Sequence, residues 1–286
     1  MKYLVMILLL SACTKVQGPA EAPTTPVTEN PHETPIVDQP KVPAHLEAIT
    51  KFAGDSACAK YSWKNRGIAP KGYVKGVALT YVKALCHQDY GHVASLMKKP
   101  AGDKDGLLWY KSKFGDLYSD EAGLIQLRHT YALLIGLGMM ESSGRYCCGR
   151  DMSANFSKSE SAEAGLFQTS YGGRGAHGSL ETLFRSYLQS KNGCFGDVFA
   201  EGVRTCSSGD LKNWGDGDGA VWQKLAKDCP SFSTEWSAVV LRYNGGKVGE
   251  YGPIRKQAAE IRPECDSMFG KIQEMVKSNP NYCDLL

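Results

Sequence analysis

Glu141 stands where a carboxyl group could do acid–base work: ten uncharged, mostly apolar residues, Tyr131 to Met140, precede it, and Ser142-Ser143-Gly144 follow. Ten such residues are too few to span a bilayer, so the run reads as a helix buried on all sides, beginning near Ser119-Asp120-Glu121 and stopped by the Ser-Ser-Gly segment. The acids at 120 and 121 suit a helix N-terminus. At the other end, burial and the negative pole of the helix both disfavour a charged carboxylate, and Glu141 is predicted to hold its proton near neutrality. A protonated carboxyl can protonate the leaving oxygen of a glycosidic bond. A glutamate that merely ends a helix and points to water has the same local sequence, so position alone does not make a catalyst.

The elements that must hold Glu141 in place read as helical. Val74, Val77, Ala78, Tyr81, Val82 and Leu85, behind Pro70, trace one face of an amphipathic helix. Leu180, Leu183, Phe184, Tyr187 and Leu188 repeat the pattern behind a Ser179 cap, and Trp236, Val239, Val240 and Tyr243 do so behind Ser233-Thr234. No stretch alternates as a strand would, so a mainly helical domain with little β structure is expected.

The first 45 residues look like delivery rather than fold. Lys2 and the apolar run Tyr3–Leu10 fit an export signal, and Leu10-Ser11-Ala12-Cys13 is similar to the lipobox of bacterial lipoproteins, which would make Cys13 the lipidated first residue of the mature chain. An ordinary signal peptide cut nearby, releasing the protein, is the rival reading. Residues 14–45 form a proline-rich linker; about 28 residues of it at about 3.1 Å each reach roughly 85 Å. The catalytic domain is expected over 46–286.

Ten cysteines suit an oxidising compartment. With Cys13 lipidated, nine remain, predicting up to four disulfides and one free thiol, with the pairing open. A zinc site is disfavoured because Cys147-Cys148 are adjacent and the six histidines are scattered. With 33 basic against 30 acidic side chains, the chain has no basic excess pointing to nucleic acid.

Three segments carry a resemblance. Glu141-Ser142-Ser143-Gly144, Ser159 to Gln168 (ending Gly165-Leu166-Phe167-Gln168) and Arg242-Tyr243-Asn244-Gly245-Gly246 resemble, in order and rough spacing, three motifs of the lysozyme-like superfamily, the soluble lytic transglycosylases and goose-type lysozymes. The resemblance implies a disulfide-braced, lysozyme-like helical fold. It implies Glu141 as catalytic acid, Ser142 orienting groups around the sugar, Gly165, Leu166, Phe167 and Gln168 lining the cleft floor, and Tyr243 hydrogen-bonding the catalytic carboxyl with Asn244 nearby. Phe167 replaces the usual Met, and Glu163 stands where the family usually has Ala. That extra carboxylate could position water and make a hydrolase of a fold that often forms 1,6-anhydro ends with a single acid. Asp151, Glu160 and Glu163 are the candidates for this second role. Carboxyl separations of about 5–5.5 Å would give retention and about 6.5–9.5 Å inversion. The same acids could pair with the free amines of de-N-acetylated glucosamine.

Other signals carry less. Gly173-Arg-Gly175-Ala-His-Gly178 matches a dinucleotide fingerprint without the strand that should precede it, and reads instead as a mobile loop over the cleft. Asp216-Gly-Asp218-Gly lacks the ligands of a calcium loop. Trp214 and Tyr171 could stack on sugars or pack in the core. His177 and Cys86-His87 are set aside as catalysts, with Cys86 assigned to a disulfide. The expectation is a monomeric muramidase acting on peptidoglycan strands, in the periplasm or on the outer membrane, needing no metal or organic cofactor and touching membrane only through a lipid anchor. A lytic transglycosylase and a non-catalytic wall-binding lipoprotein are the alternatives.

Overall fold

The structure, a computed structural model, describes residues 44–114, 123–149, 158–203, 206–251, 254 and 256–284. Cys13, Asp151 and Ser119–Glu121 lie outside the described residues; the helix expected to begin near Ser119 begins at Leu124, behind Gly123 in a left-handed conformation (φ 77°), so the acids at 120 and 121 are not in its first turn. The described chain is mainly helical. Helices α1 (Glu47–Asp55), α2 (Ala57–Lys60) and α3 (Lys71–Cys86) are followed by short α4 (Gly91–Leu96) and α5 (Gly106–Trp109), then the long α6 (Leu124–Ser142). The second half holds α7 (Ser179–Gln189), α8 (Gly196–Ala200), α9 (Ser208–Leu211), α10 (Gly217–Asp228), α11 (Pro230–Asn244) and α12 (Pro263–Ser278). The named strands are β1 (Ser62–Trp63) and β2 (Gly67–Ile68), a short antiparallel hairpin pairing Ser62 with Ile68 and Trp63 with Gly67. No described helix is long and apolar enough to cross a membrane.

Helix α6 is the centre. From Gln126 to Met139 all but Arg128 are buried, as a run without a polar face requires. Its neighbours approach closely because Gly136 and Gly138 carry no side chain: a Cβ on Gly138 would lie 2.1 Å from the Tyr73 hydroxyl, which donates to the Leu134 and Ile135 carbonyls. Helix α3 departs from the single apolar face read from its spacing. Its residues from Gly72 to Leu85 are nearly all buried, because α1, α6, α8, α11 and α12 pack around it.

Two capping expectations are corrected. Ser179 is the first residue of α7 rather than its cap, its hydroxyl engaged with His177 Nδ1 at 2.8 Å. Helix α11 starts at Pro230, where the ring's fixed φ and missing N–H suit a first turn, which places Ser233 and Thr234 inside it. Four disulfides brace the helices: Cys58–Cys265, Cys86–Cys283, Cys147–Cys206 and Cys194–Cys229. Cys148 is also disulfide-bonded, so the expected free thiol is not found among the described residues.

Candidate functional site

Helix α6 ends as the sequence suggested, and the end is built from backbone. Ser143 (φ 55°) and Gly144 (φ 73°) turn left-handed, and their N–H groups donate to Met139 and Gly138. This leaves Glu141 half-buried on the last turn. Ser142 faces the other way: it is fully buried, and its hydroxyl donates back to the Gly138 carbonyl at 3.1 Å, so it is not placed to orient a sugar.

Residues 145–149 then run beneath the second motif. The Gly165 N–H donates to the Cys148 carbonyl at 2.9 Å, and Gln168 Nε2 donates to the carbonyls of Gly149 and Gly165 at 3.0 and 3.1 Å. Ala164 pairs with Thr169, so 164–169 forms a tight hairpin-like turn. Gly165 is required there, since its φ is 78° and a Cβ would meet the Ala226 carbonyl at 2.9 Å. Leu166 and Phe167 are completely buried, which corrects the expectation that their side chains line a cleft. Phe167 instead packs against α6 at Gly138, one turn before Glu141.

The third motif changes most. Tyr243 donates its hydroxyl to the Ser95 carbonyl at 3.0 Å and packs on the His177 ring at 4.4 Å, so its one proton is not offered to Glu141. Arg242 is buried against Asp105 at 3.2 Å. Asn244 closes α11, its carbonyl accepting from Tyr251 N–H at 3.0 Å and its Oδ1 from Glu250 N–H. That loop delivers Tyr251. Its hydroxyl donates to the Phe167 carbonyl at 2.8 Å, with Ser237 alongside. Burial first, then the charge of Glu141, with Glu163 adding to it, pushes this hydroxyl well above the usual tyrosine range. The phenol therefore sits in the field of two carboxylates from separate motifs, and is the tyrosine that the motif reading missed. Its only sequence signal is a position after the Gly-Gly turn.

Glu163 is half-buried, as is Glu160 in the 3₁₀ turn Ser159–Ser161. The β1–β2 hairpin adds a second overlooked residue. Arg66 reaches Met140 Sδ at 3.8 Å and is attracted by Glu141. That attraction favours the charged carboxylate and works against the burial and helix polarity that the sequence places on Glu141.

The glycine-rich segment is no open loop. Tyr171–Ala176 forms a 3₁₀ turn with Tyr171 buried between Phe184 and Trp236, its hydroxyl donating to Glu181 and Asp218 at 3.0 and 3.2 Å. Trp214 is partly exposed. Cys86, bonded to Cys283, has the structural role assigned to it. Among the described residues no three His, Cys, Asp or Glu side chains gather as a metal site. Comparison with protein families, with curated proteins and with solved structures finds no match.

Proposed function

We propose that the protein is an exported muramidase with a lysozyme-like domain, hydrolysing the β-1,4 bond between N-acetylmuramic acid and glucosamine-type residues of peptidoglycan. Glu141 gives its proton to the glycosidic oxygen as the C1–O bond breaks, and Glu163 takes a proton from the water that completes the cleavage. One observation carries the reading: half-buried Glu141 and Glu163, from separate motifs, both lie close enough to the Tyr251 hydroxyl to perturb it, and that hydroxyl donates to the Phe167 carbonyl in the turn that follows Glu163. Four disulfides suit an oxidising compartment. The proline-rich segment would serve as a spacer that lets the exported domain reach the wall.

Digestion of purified sacculi tests this. Parent protein is expected to release products with ordinary reducing ends, and Glu141→Gln to lose roughly 10²–10⁴-fold in rate. Products lighter by one water would replace hydrolysis with the transglycosylase reading. Binding to sacculi by parent and variant alike, without cleavage, would leave a wall-binding lipoprotein. Half-buried Glu160 and Glu163 support a preference for de-N-acetylated strands. Chemical N-acetylation of the sacculi is then expected to slow cleavage, and faster cleavage removes that preference.

A further inference from the structure

The β1–β2 hairpin carries an arginine that has no carboxylate within ion-pair distance among the described residues. Asn65 (φ 62°) and Gly67 (φ 73°) make the turn, and the Arg66 N–H closes it on the Trp63 carbonyl at 3.0 Å. The hairpin is fastened at its base. Trp63 is buried, Tyr61 donates its hydroxyl to Glu260, Lys64 N–H donates to the same carboxylate at 3.2 Å, and Arg262 covers the Tyr61 ring at 4.0 Å. Arg66 is thereby carried to the end of α6, half-buried, with Met140 Sδ at 3.8 Å as its side-chain contact.

Other guanidinium groups of this framework are neutralised. Arg145 has Asp210 at 3.0 Å, Arg242 has Asp105 at 3.2 Å and Arg262 has Glu264 at 2.9 Å. Arg66 has no carboxylate within ion-pair distance among the described residues, although Glu141 is near enough to attract it. A half-desolvated guanidinium with unused donors is costly to hold, and an incoming carboxylate would recover that cost through paired, charge-assisted hydrogen bonds.

We propose that Arg66 is a substrate-binding residue that receives a carboxylate borne by the muramyl residue next to the scissile bond. The inference rests on the muramidase reading, because it takes the reacting bond to lie at Glu141. Two sources present that chemistry, the free lactyl carboxylate of peptide-stripped strands and the carboxylates of attached stem peptides. A ligand built only of N-acetylglucosamine presents neither.

The test measures binding in a Glu141→Gln background, so that affinity is read without turnover. Calorimetric titrations compare peptide-stripped glycan, peptide-bearing glycan and an uncharged chitin oligosaccharide of equal length, each with and without Arg66→Gln. Loss of Arg66 is expected to weaken at least one muramyl ligand by about tenfold more than the chitin oligosaccharide, with Arg66→Lys recovering part of the difference. The arm that loses affinity identifies the source: peptide-stripped strands for the lactyl group, peptide-bearing strands for the stem. Equal losses on all three ligands, or none, would overturn the assignment. Cleavage of sacculi by the parent is scored separately, so its absence defeats the muramidase reading while the binding ratio still judges Arg66.

Discussion

Two glutamates, one inside α11 and one at the end of α6, have different surroundings. Glu235 is sealed in the core between Lys83 Nζ at 3.2 Å and His92 Nε2 at 3.7 Å, with the Tyr187 hydroxyl sharing the lysine. Neither of its oxygens has a well-aligned hydrogen-bond donor, so charge and distance rather than geometry hold the cluster. Burial draws the His92 ring below the ordinary histidine range, favouring its neutral form. Lys83 therefore carries the compensation. Glu141 is half-buried, on a left-handed helix stop, near a tyrosine hydroxyl and a guanidinium that has no ion-pair partner among the described residues. A carboxylate locked to a buried cation is a fastening between helices. One at a helix end, beside groups that a ligand can engage, suits the proton exchange proposed for it.

Making the same substitution at both positions is the sharpest way to break this comparison. Glu235→Gln removes the charge opposite a buried lysine and is expected to cost about 3–5 kcal/mol of unfolding free energy, because Lys83 stays buried without a partner. Glu141→Gln is expected to change stability by less than about 1 kcal/mol while abolishing most cleavage. Denaturant titration of both variants decides it. Equal stability losses would mean that Glu141 is a structural group like Glu235.

A smaller effect separates core from mouth through pH. His129, inside α6, is pushed down to about 4 by burial; Asp266 on α12 at 3.4 Å opposes the shift, neighbouring Arg128 reinforces it, and the Phe114 ring stacks at 4.3 Å. The unfolded chain takes up this proton near pH 6.5, whereas the folded one refuses it until about 4. Stability is therefore lost as pH falls through that window, by roughly 2–3 kcal/mol between pH 6.5 and 4.5. His129→Gln should flatten the decline in an unfolding series across that range. A parent whose stability is level over the same range would contradict the assignment.

How much of this was legible from sequence depends on how locally each feature is determined. The end of α6 was legible, since an uncharged run followed by Ser-Ser-Gly dictates both burial and stop within one segment. So was the mainly helical class, from apolar spacing. Caps failed at Ser179 and at Ser233-Thr234 because serine and threonine also occur inside helices, where Thr234 returns its hydroxyl to the Pro230 carbonyl. Tyr243 was read from a motif, but its rotation on α11 aims it at α4, a fact of packing rather than of order along the chain. Arg66 and Tyr251 were invisible for the same reason. Each lies in a short loop whose target, the end of α6, is more than 70 residues away for Arg66 and about 110 for Tyr251.

Tyr251 gives the smallest stability effect and the finest test of the contrast. Its hydroxyl donates to the Phe167 carbonyl, with Ser237 alongside, and Tyr251→Phe keeps the ring packing while deleting the bond to the carbonyl. The expected stability loss is about 1 kcal/mol, the ordinary worth of a neutral hydrogen bond. Cleavage should fall further, by about tenfold, because the freed carbonyl belongs to the turn Gly165–Gln168 and the phenol lies in the field of both carboxylates. Calorimetric melting and sacculus digestion on the same preparation separate the two. A stability loss of 3 kcal/mol or more with proportionate loss of cleavage would put Tyr251 in the same role as Glu235, a core fastening. The end of α6 would then be packed structure rather than a reactive mouth.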